Sequence, residues 1–225
     1  MGLLRAPEVC GGYSRDVWFD MLAFMSDPNS IPRSPELMSR DDTALLVVDM
    51  QQRLLPSIHD HLRLAWNVRR LIDGARILDL PIAGTEQYPQ GLGPTVAELA
   101  ERLDPLPAKL TFSCAGCPGV FTAFHDAQRH KVMVVGIETH VCVQQTVLDL
   151  LSESFSVYVA VDAVGSRHQI DHATALRRME SSGATLTTTE AALCEWCEVA
   201  GTPEFKQISS LVRETPPTSS DPLHS

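Results

Sequence analysis

Three residues of unlike chemistry, Asp49, Lys109 and Cys142, stand where short apolar runs end. Asp49 closes "TALLVVDM". Lys109 is the lone cation of "PAKLTFS". Cys142 follows "KVMVVGIETHV", a branched run that breaks at Gly136 and resumes at helical spacing. A cysteine in the first turn of a helix meets unpaired backbone N–H groups and the positive end of the helix dipole, which favour a thiolate. A thiolate is a nucleophile that needs a proton acceptor and a counter-charge. Asp49 can accept the proton, and Lys109 can hold that carboxylate and stabilise the sulfur. Taken singly, each has a plainer reading: Asp49 capping a turn, Lys109 solvated on a loop, Cys142 packed in the core.

The elements that must position them alternate along the chain. "TALLVVDM", "PIAGTEQ", "PLPAKLTFS", "KVMVVGI", "FSVYVAVDA" and "ATLTTTE" read as strands, the third the weakest. Between and after them, "LRLAWNVRRLIDGARILDL" places Leu64, Val68, Leu71, Ile72, Ala75 and Leu78 on one helical face. "PGVFTAFHDAQRH" opens on Pro118 as a helix start, and further helices follow Cys142, span "DHATALRRMESSG", and cover "AALCEWCEV" and "PEFKQISSLVRE". The strands are continuous apolar runs rather than alternating ones, which predicts a parallel sheet covered on both faces. The fold class is α/β: a doubly wound, Rossmann-like six-stranded parallel sheet. In such a sheet ligands bind beyond the carboxyl ends of the strands, where the order reverses. With strands one and four adjacent, as in the order 3-2-1-4-5-6, Asp49 and Cys142 converge there.

Composition bounds the partners. The 225 residues suit one large domain with a substantial core. A net charge of −10 disfavours nucleic acid and anionic membranes, which are bound through basic patches. No apolar run has spanning length. The opening "MGLLRAPEVCGGYSRDVWFDMLAFM" lacks the uninterrupted apolar segment of a secretory signal, so the expectation is a cytoplasmic protein. Residues 1–40, rich in Pro and Ser towards their end, read as a loosely ordered extension, 41–214 as the catalytic domain, and 215–225 as a disordered tail.

Six cysteines include two CxxC pairs, Cys114/Cys117 and Cys194/Cys197. Paired CxxC motifs can bind zinc, but usually lie closer in sequence than these. Cys194 and Cys197 fall at i, i+3 on one face of a helix, where cysteine packs as a small hydrophobe. Cys114 and Cys117, ahead of the Pro118 helix, leave open a thiol redox protein.

Together the motifs match a family. "LLVVDMQ", "AKLTFS" and "GIETHVCV" resemble, in order, the aspartate, K-x-x-F-S and nucleophile segments of the isochorismatase-like cysteine hydrolases. That group includes nicotinamidases, N-carbamoylsarcosine amidase and isochorismatase. "TEQYPQGLGPT" and "VDAVGSRHQID" are further matches, the former resembling the isochorismatase domain-containing proteins and their bacterial relatives. The likeness runs from about Thr43 to Glu214.

The resemblance implies a catalytic triad Asp49–Lys109–Cys142, and a cis peptide between Ile137 and Glu138. That bond would turn the Glu138 N–H towards the Cys142 N–H to form an oxyanion hole, leaving the side chains of Glu138 and His140 without a chemical role. It implies hydrolysis of a small-molecule amide or carbamoyl C–N bond through a thioester, by a homo-oligomer without cofactors. Metal-using nicotinamidases carry an aspartate and spaced histidines after the second strand. "GTEQYPQGLGPT" has no histidine, so no catalytic metal is expected. Leu54 stands where many nicotinamidases have an aromatic residue, and Glu86, Gln87, Tyr88 and Phe112 are further candidate pocket residues. A non-catalytic assembly homologue remains the other alternative.

Overall fold

Each strand of the sheet owes its place to how much branched apolar surface it can bury on two sides. The computed structural model describes residues 31–104 and 106–218. Most of the expected 1–40 extension and the end of the 215–225 tail therefore lie outside the described residues. The unit that carries the sheet begins at Met38.

Strand β1 (Thr43–Val48) and strand β4 (Lys131–Ile137) are buried at every position. They lie side by side at the centre of a six-stranded sheet ordered β3-β2-β1-β4-β5-β6. The others are β2 (Ile82–Gln87), β3 (Ala108–Lys109), β5 (Ser156–Gly165) and β6 (Thr185–Thr187). Every strand pair is parallel, as the continuous apolar runs predict.

Side chains of β1 alternate between two cores. Leu45 and Val47 pack with residues of α1 (His61–Ile77), such as Leu71 and Ile72. Ala44, Leu46 and Val48 pack on the other face with Phe121 and Phe124 of α2 (Pro118–Asp126) and Val147 and Leu150 of α3 (Gln144–Ser152). Met179 of α4 (Gln169–Ser181) joins that second core, whereas Leu193 and Trp196 of α5 (Thr189–Cys197) and Ile208 of α6 (Pro203–Val212) join the first.

The third strand differs from expectation. "PLPAKLTFS" predicts a strand through residue 113, yet β3 pairs over two residues only. The ladder runs from Glu86 N–H to the Pro107 carbonyl and from Tyr88 N–H to the Lys109 carbonyl. Pro107 has no N–H to give, and past Lys109 the backbone curls back on its own ammonium. The sixth strand is likewise shortened, because the Thr188 hydroxyl accepts the Ala191 N–H and starts α5.

Gly136 explains the break in β4. Its φ is +114°, and a Cβ there would lie 2.1 Å from the Val48 carbonyl oxygen of the neighbouring strand. The pairing of β4 with β5 also shifts between Val134 and Gly136. Both β1 and β4 thus end in close backbone contact, which delivers Asp49 and the 138–143 segment to the same edge. Gly136→Ala should therefore lower stability by about 3 kcal/mol or more, since backbone must move to admit a methyl group. Gly119→Ala in α2, with nothing within 4 Å of the added carbon, should leave stability unchanged or raise it by about 0.5–1 kcal/mol. Urea unfolding of both variants against the parent checks the pair.

Candidate active site

Asp49 follows β1 directly, in a left-handed turn with φ 51°, a conformation aspartate tolerates better than most residues. Its N–H donates to the Thr85 carbonyl. Its carboxylate, fully buried, accepts from the Thr85 hydroxyl at 2.9 Å through Oδ1 and from Lys109 Nζ at 2.7 Å through Oδ2. The Lys109 ammonium also donates to Gln87 Oε1 and to the Phe112 carbonyl, both at 2.8 Å. An ammonium has three protons, so these partners saturate it. The curl after β3 that shortens the strand is what returns the Phe112 carbonyl to Lys109.

Cys142 comes from β4 through a turn wider than an α-helix. The Ile137–Glu138 peptide is cis, and residues Thr139–Val143 form a π-type turn in which the Val143 N–H donates to the Glu138 carbonyl. The Cys142 sulfur lies 4.0 Å from Gln87 Oε1. Its carbonyl accepts from the Thr146 hydroxyl at 2.7 Å, and that hydroxyl accepts the Cys114 N–H at 2.9 Å. The Cys114 sulfur lies 3.4 Å from the Thr85 hydroxyl. Two thiols therefore flank one carboxylate.

The electrostatics correct one expectation. The position of Cys142 at a helix start predicts a lowered thiol pKa, but burial pushes it up, and the negative charge of Asp49 pushes it further, with Lys109 opposing. The wide turn leaves the sulfur inside a core, beyond the full benefit of a helix end. The Cys114 thiol is pushed up to about 11 by burial and then by Asp49. Both shifts favour the protonated thiol. Asp49 is the carboxylate that faces the Cys142 thiol.

Of the candidate pocket residues, only Gln87 reaches this cluster with its side chain. Glu86 points to the opposite face of β2 and accepts from the Thr95 N–H and hydroxyl at 2.7 and 2.8 Å. Leu54 packs against the core beneath α1. Tyr88 is half exposed, its ring lying over Gly91. Phe112 contributes its carbonyl, and the residue is 53% exposed. The Glu138 carboxylate accepts from the Arg167 N–H and Nε, and His140 Nδ1 pairs with the Ser166 hydroxyl. Those side chains tie the turn to the end of β5.

Thr85 and Thr146 belong to the site without having been singled out by the sequence, and Cys114, read there as half of a CxxC pair, joins them. Period-two alternation back from Gln87 could have found Thr85, and one helical turn forward from Cys142 could have found Thr146. Nothing in its spacing placed Cys114 beside Cys142. Behind the site, Gln51 Oε1 accepts the Gln87 N–H at 2.8 Å and its Nε2 donates to the Gln87 and Gly93 carbonyls. Gln52, Arg53 and Val96 N–H groups bond the Pro94, Leu92 and Met50 carbonyls, so the loop after β1 and the loop after β2 run as an antiparallel pair.

Among the described residues no group of three or more His, Cys, Asp or Glu side chains is placed to hold a metal ion. The two CxxC pairs lie apart: Cys114 is in the core with Cys142, and Cys194 is exposed on α5. The five described cysteines are all free thiols.

The fold and this edge define an α/β protein of the isochorismatase-hydrolase type. The Isochorismatase domain profile matches residues 43–191, and the chain belongs to that family. Human isochorismatase domain-containing protein 2 is 40% identical over 179 residues, covering 79% of this chain and 86% of its own. Among solved structures, MAR1 ribonuclease from Caenorhabditis elegans superposes with a TM-score of 0.75 at 39% identity, over 82% of this chain and 96% of its own. YcaC from Pseudomonas aeruginosa, with hexane-2,5-diol and covalent acrylamide, superposes with a TM-score of 0.73 at 27% identity, over 80% and 93%.

Breaking a buried ion pair from one side strands the other charge. Lys109→Met should cost about 3–5 kcal/mol of stability, and adding Asp49→Asn to it should recover part of that loss. Chemical denaturation of the two variants against the parent tests the coupling.

Proposed function

We propose that the protein is a cysteine-dependent hydrolase of small-molecule amide or carbamoyl C–N bonds, with Asp49, Lys109 and Cys142 as its catalytic triad. The observation that carries this reading is the buried Lys109–Asp49 pair, 2.7 Å apart, packed beside the Cys142 thiol. A carboxylate fixed by an ammonium whose three N–H groups are all engaged is a base set against that thiol.

Cys142 Sγ attacks the substrate carbonyl carbon as its proton passes to Asp49. The carbonyl π pair moves to oxygen, and the backbone N–H groups of Glu138 and Cys142 receive that oxyanion. Two such donors are typically worth several kcal/mol in the transition state. Collapse breaks the C–N bond, and Asp49 returns the proton to the departing amine. Water then attacks the thioester, giving a proton to Asp49, and the thiolate leaves with that proton restored. Lys109, with all three N–H groups engaged, acts through its charge and by fixing the carboxylate. The covalent acrylamide in the YcaC relative fits a reactive nucleophile within this fold.

Thiol redox chemistry through Cys114 and Cys117 has less support, since both are free thiols, Cys114 Sγ directed to the Thr85 hydroxyl and Cys117 Sγ to the Ala108 carbonyl. The C. elegans relative described as a ribonuclease favours testing RNA as well. A net charge of −10 opposes that substrate.

A screen of primary amides and carbamoyl compounds for ammonia release should yield a substrate. Cys142→Ala should reduce its turnover by roughly 10⁴-fold or more, and intact-protein mass spectrometry should trap an acyl adduct on Cys142 in the parent. Exhaustive chelation should leave the rate unchanged. RNA cleavage that disappears with Cys142→Ala, in place of ammonia release, would transfer the triad to another substrate class.

A further inference from the structure

Gln87 enters the sequence reading as a pocket residue, but its surroundings give it a different task. Its backbone N–H and carbonyl are both gripped by the buried side chain of Gln51, at 2.8 and 3.0 Å. Its own Nε2 donates to the Leu110 carbonyl at 3.0 Å, which fixes the orientation of the amide and turns Oε1 inward. That oxygen accepts from Lys109 Nζ at 2.8 Å and lies 4.0 Å from Cys142 Sγ. A buried glutamine held at four points, two on its backbone and two on its carboxamide, between an ammonium and a thiol is more than filling.

We propose that Gln87 is a positioning residue for the acyl transfer: its oxygen takes one N–H of Lys109 and so keeps the ammonium on Asp49 rather than on the Cys142 sulfur. The inference rests on the hydrolase reading above. Were that N–H free, it would turn to the sulfur and stabilise a resting thiolate. Such a thiolate would attack without passing a proton to Asp49, leaving none for the departing amine, and Asp49 would lose part of its orientation. With Gln87 in place the sulfur keeps its proton until a carbonyl arrives. The charged and titratable groups facing Cys142 are Asp49 from the end of β1, Lys109 from β3 and the Cys114 thiol from the loop after β3. The Glu138 carboxylate is turned to Arg167.

The test uses the full chain with Gln87→Met, which keeps volume and removes the acceptor, and Gln87→Glu, which keeps the acceptor and adds charge. Iodoacetamide labelling of Cys142, read by peptide mass spectrometry, needs no known substrate. Gln87→Met should label faster than the parent at neutral pH yet lose about a hundredfold in kcat on an amide found by ammonia release, with KM nearly unchanged. Gln87→Glu should label more slowly and move the pH profile of kcat/KM to higher pH. Should Gln87→Met fail to fold, the Gln87→Glu shift decides the matter alone. Unchanged labelling and unchanged profiles in folded variants would overturn the positioning role. Activity that survives Cys142→Ala would instead overturn the hydrolase reading on which it stands.

Discussion

The ion pair between Lys109 and Asp49 is the constraint around which the rest is arranged. Two opposite charges with no exposed side-chain surface cost several kcal/mol each to desolvate, and their mutual attraction offsets this only with good geometry and full hydrogen bonding. The chain supplies both. Thr85 occupies one carboxylate oxygen and Lys109 the other, while Gln87 and the Phe112 carbonyl complete the ammonium. These partners come from three strands and the curl after the third, so the pair can be satisfied only when those strands end at one level. Cys142, brought from the neighbouring β4, then meets a carboxylate that is already fixed.

Close packing of the two central strands is what makes those ends coincide. β1 and β4 run in register from Thr43 opposite Lys131 to Val48 opposite Gly136. At that last pair the backbones approach so nearly that only a hydrogen fits on the glycine. Just past it each chain leaves the sheet, β1 at Asp49 through a left-handed turn and β4 after Ile137 through Glu138 into the wide turn that carries Cys142. The chemistry thus sits where the sheet stops being a sheet, a place set by apolar packing well below it.

Much of this was legible in the sequence, because branched runs such as "TALLVV" and "KVMVVGI" have no other stable home than a two-sided parallel sheet. The six strands followed from that pattern; the order 3-2-1-4-5-6, taken as that of a doubly wound sheet, is the order found, and under it Asp49 and Cys142 share an edge. What the sequence did not disclose was governed by backbone geometry and burial. "PLPAKLTFS" reads as a strand, yet Pro107 limits the ladder and its curl serves Lys109. Cys142 reads as a helix-start thiolate, yet the wide turn keeps it within a core. Glu86 and Gln87 are adjacent and both polar, but the pleat sends one to Thr95 and the other to the site, a distinction that depends on knowing which face of β2 looks inward.

The antiparallel pairing of the loops after β1 and β2 bears on how such a site can change over evolutionary time. Loops above a parallel sheet are usually free to lengthen or shrink one at a time, which lets one scaffold serve many chemistries. Here residues 50–53 and 92–96 are stitched backbone to backbone, and Gln51 extends the seam to Gly93 and Gln87. An insertion on either side would slip the seam and pull on the residue that holds Lys109. Variation in this quarter must therefore come by matched changes in both loops or by substitution of side chains, and the same holds from Leu110 to Phe112, where the residues at both ends are exposed but their carbonyls hold Gln87 and Lys109.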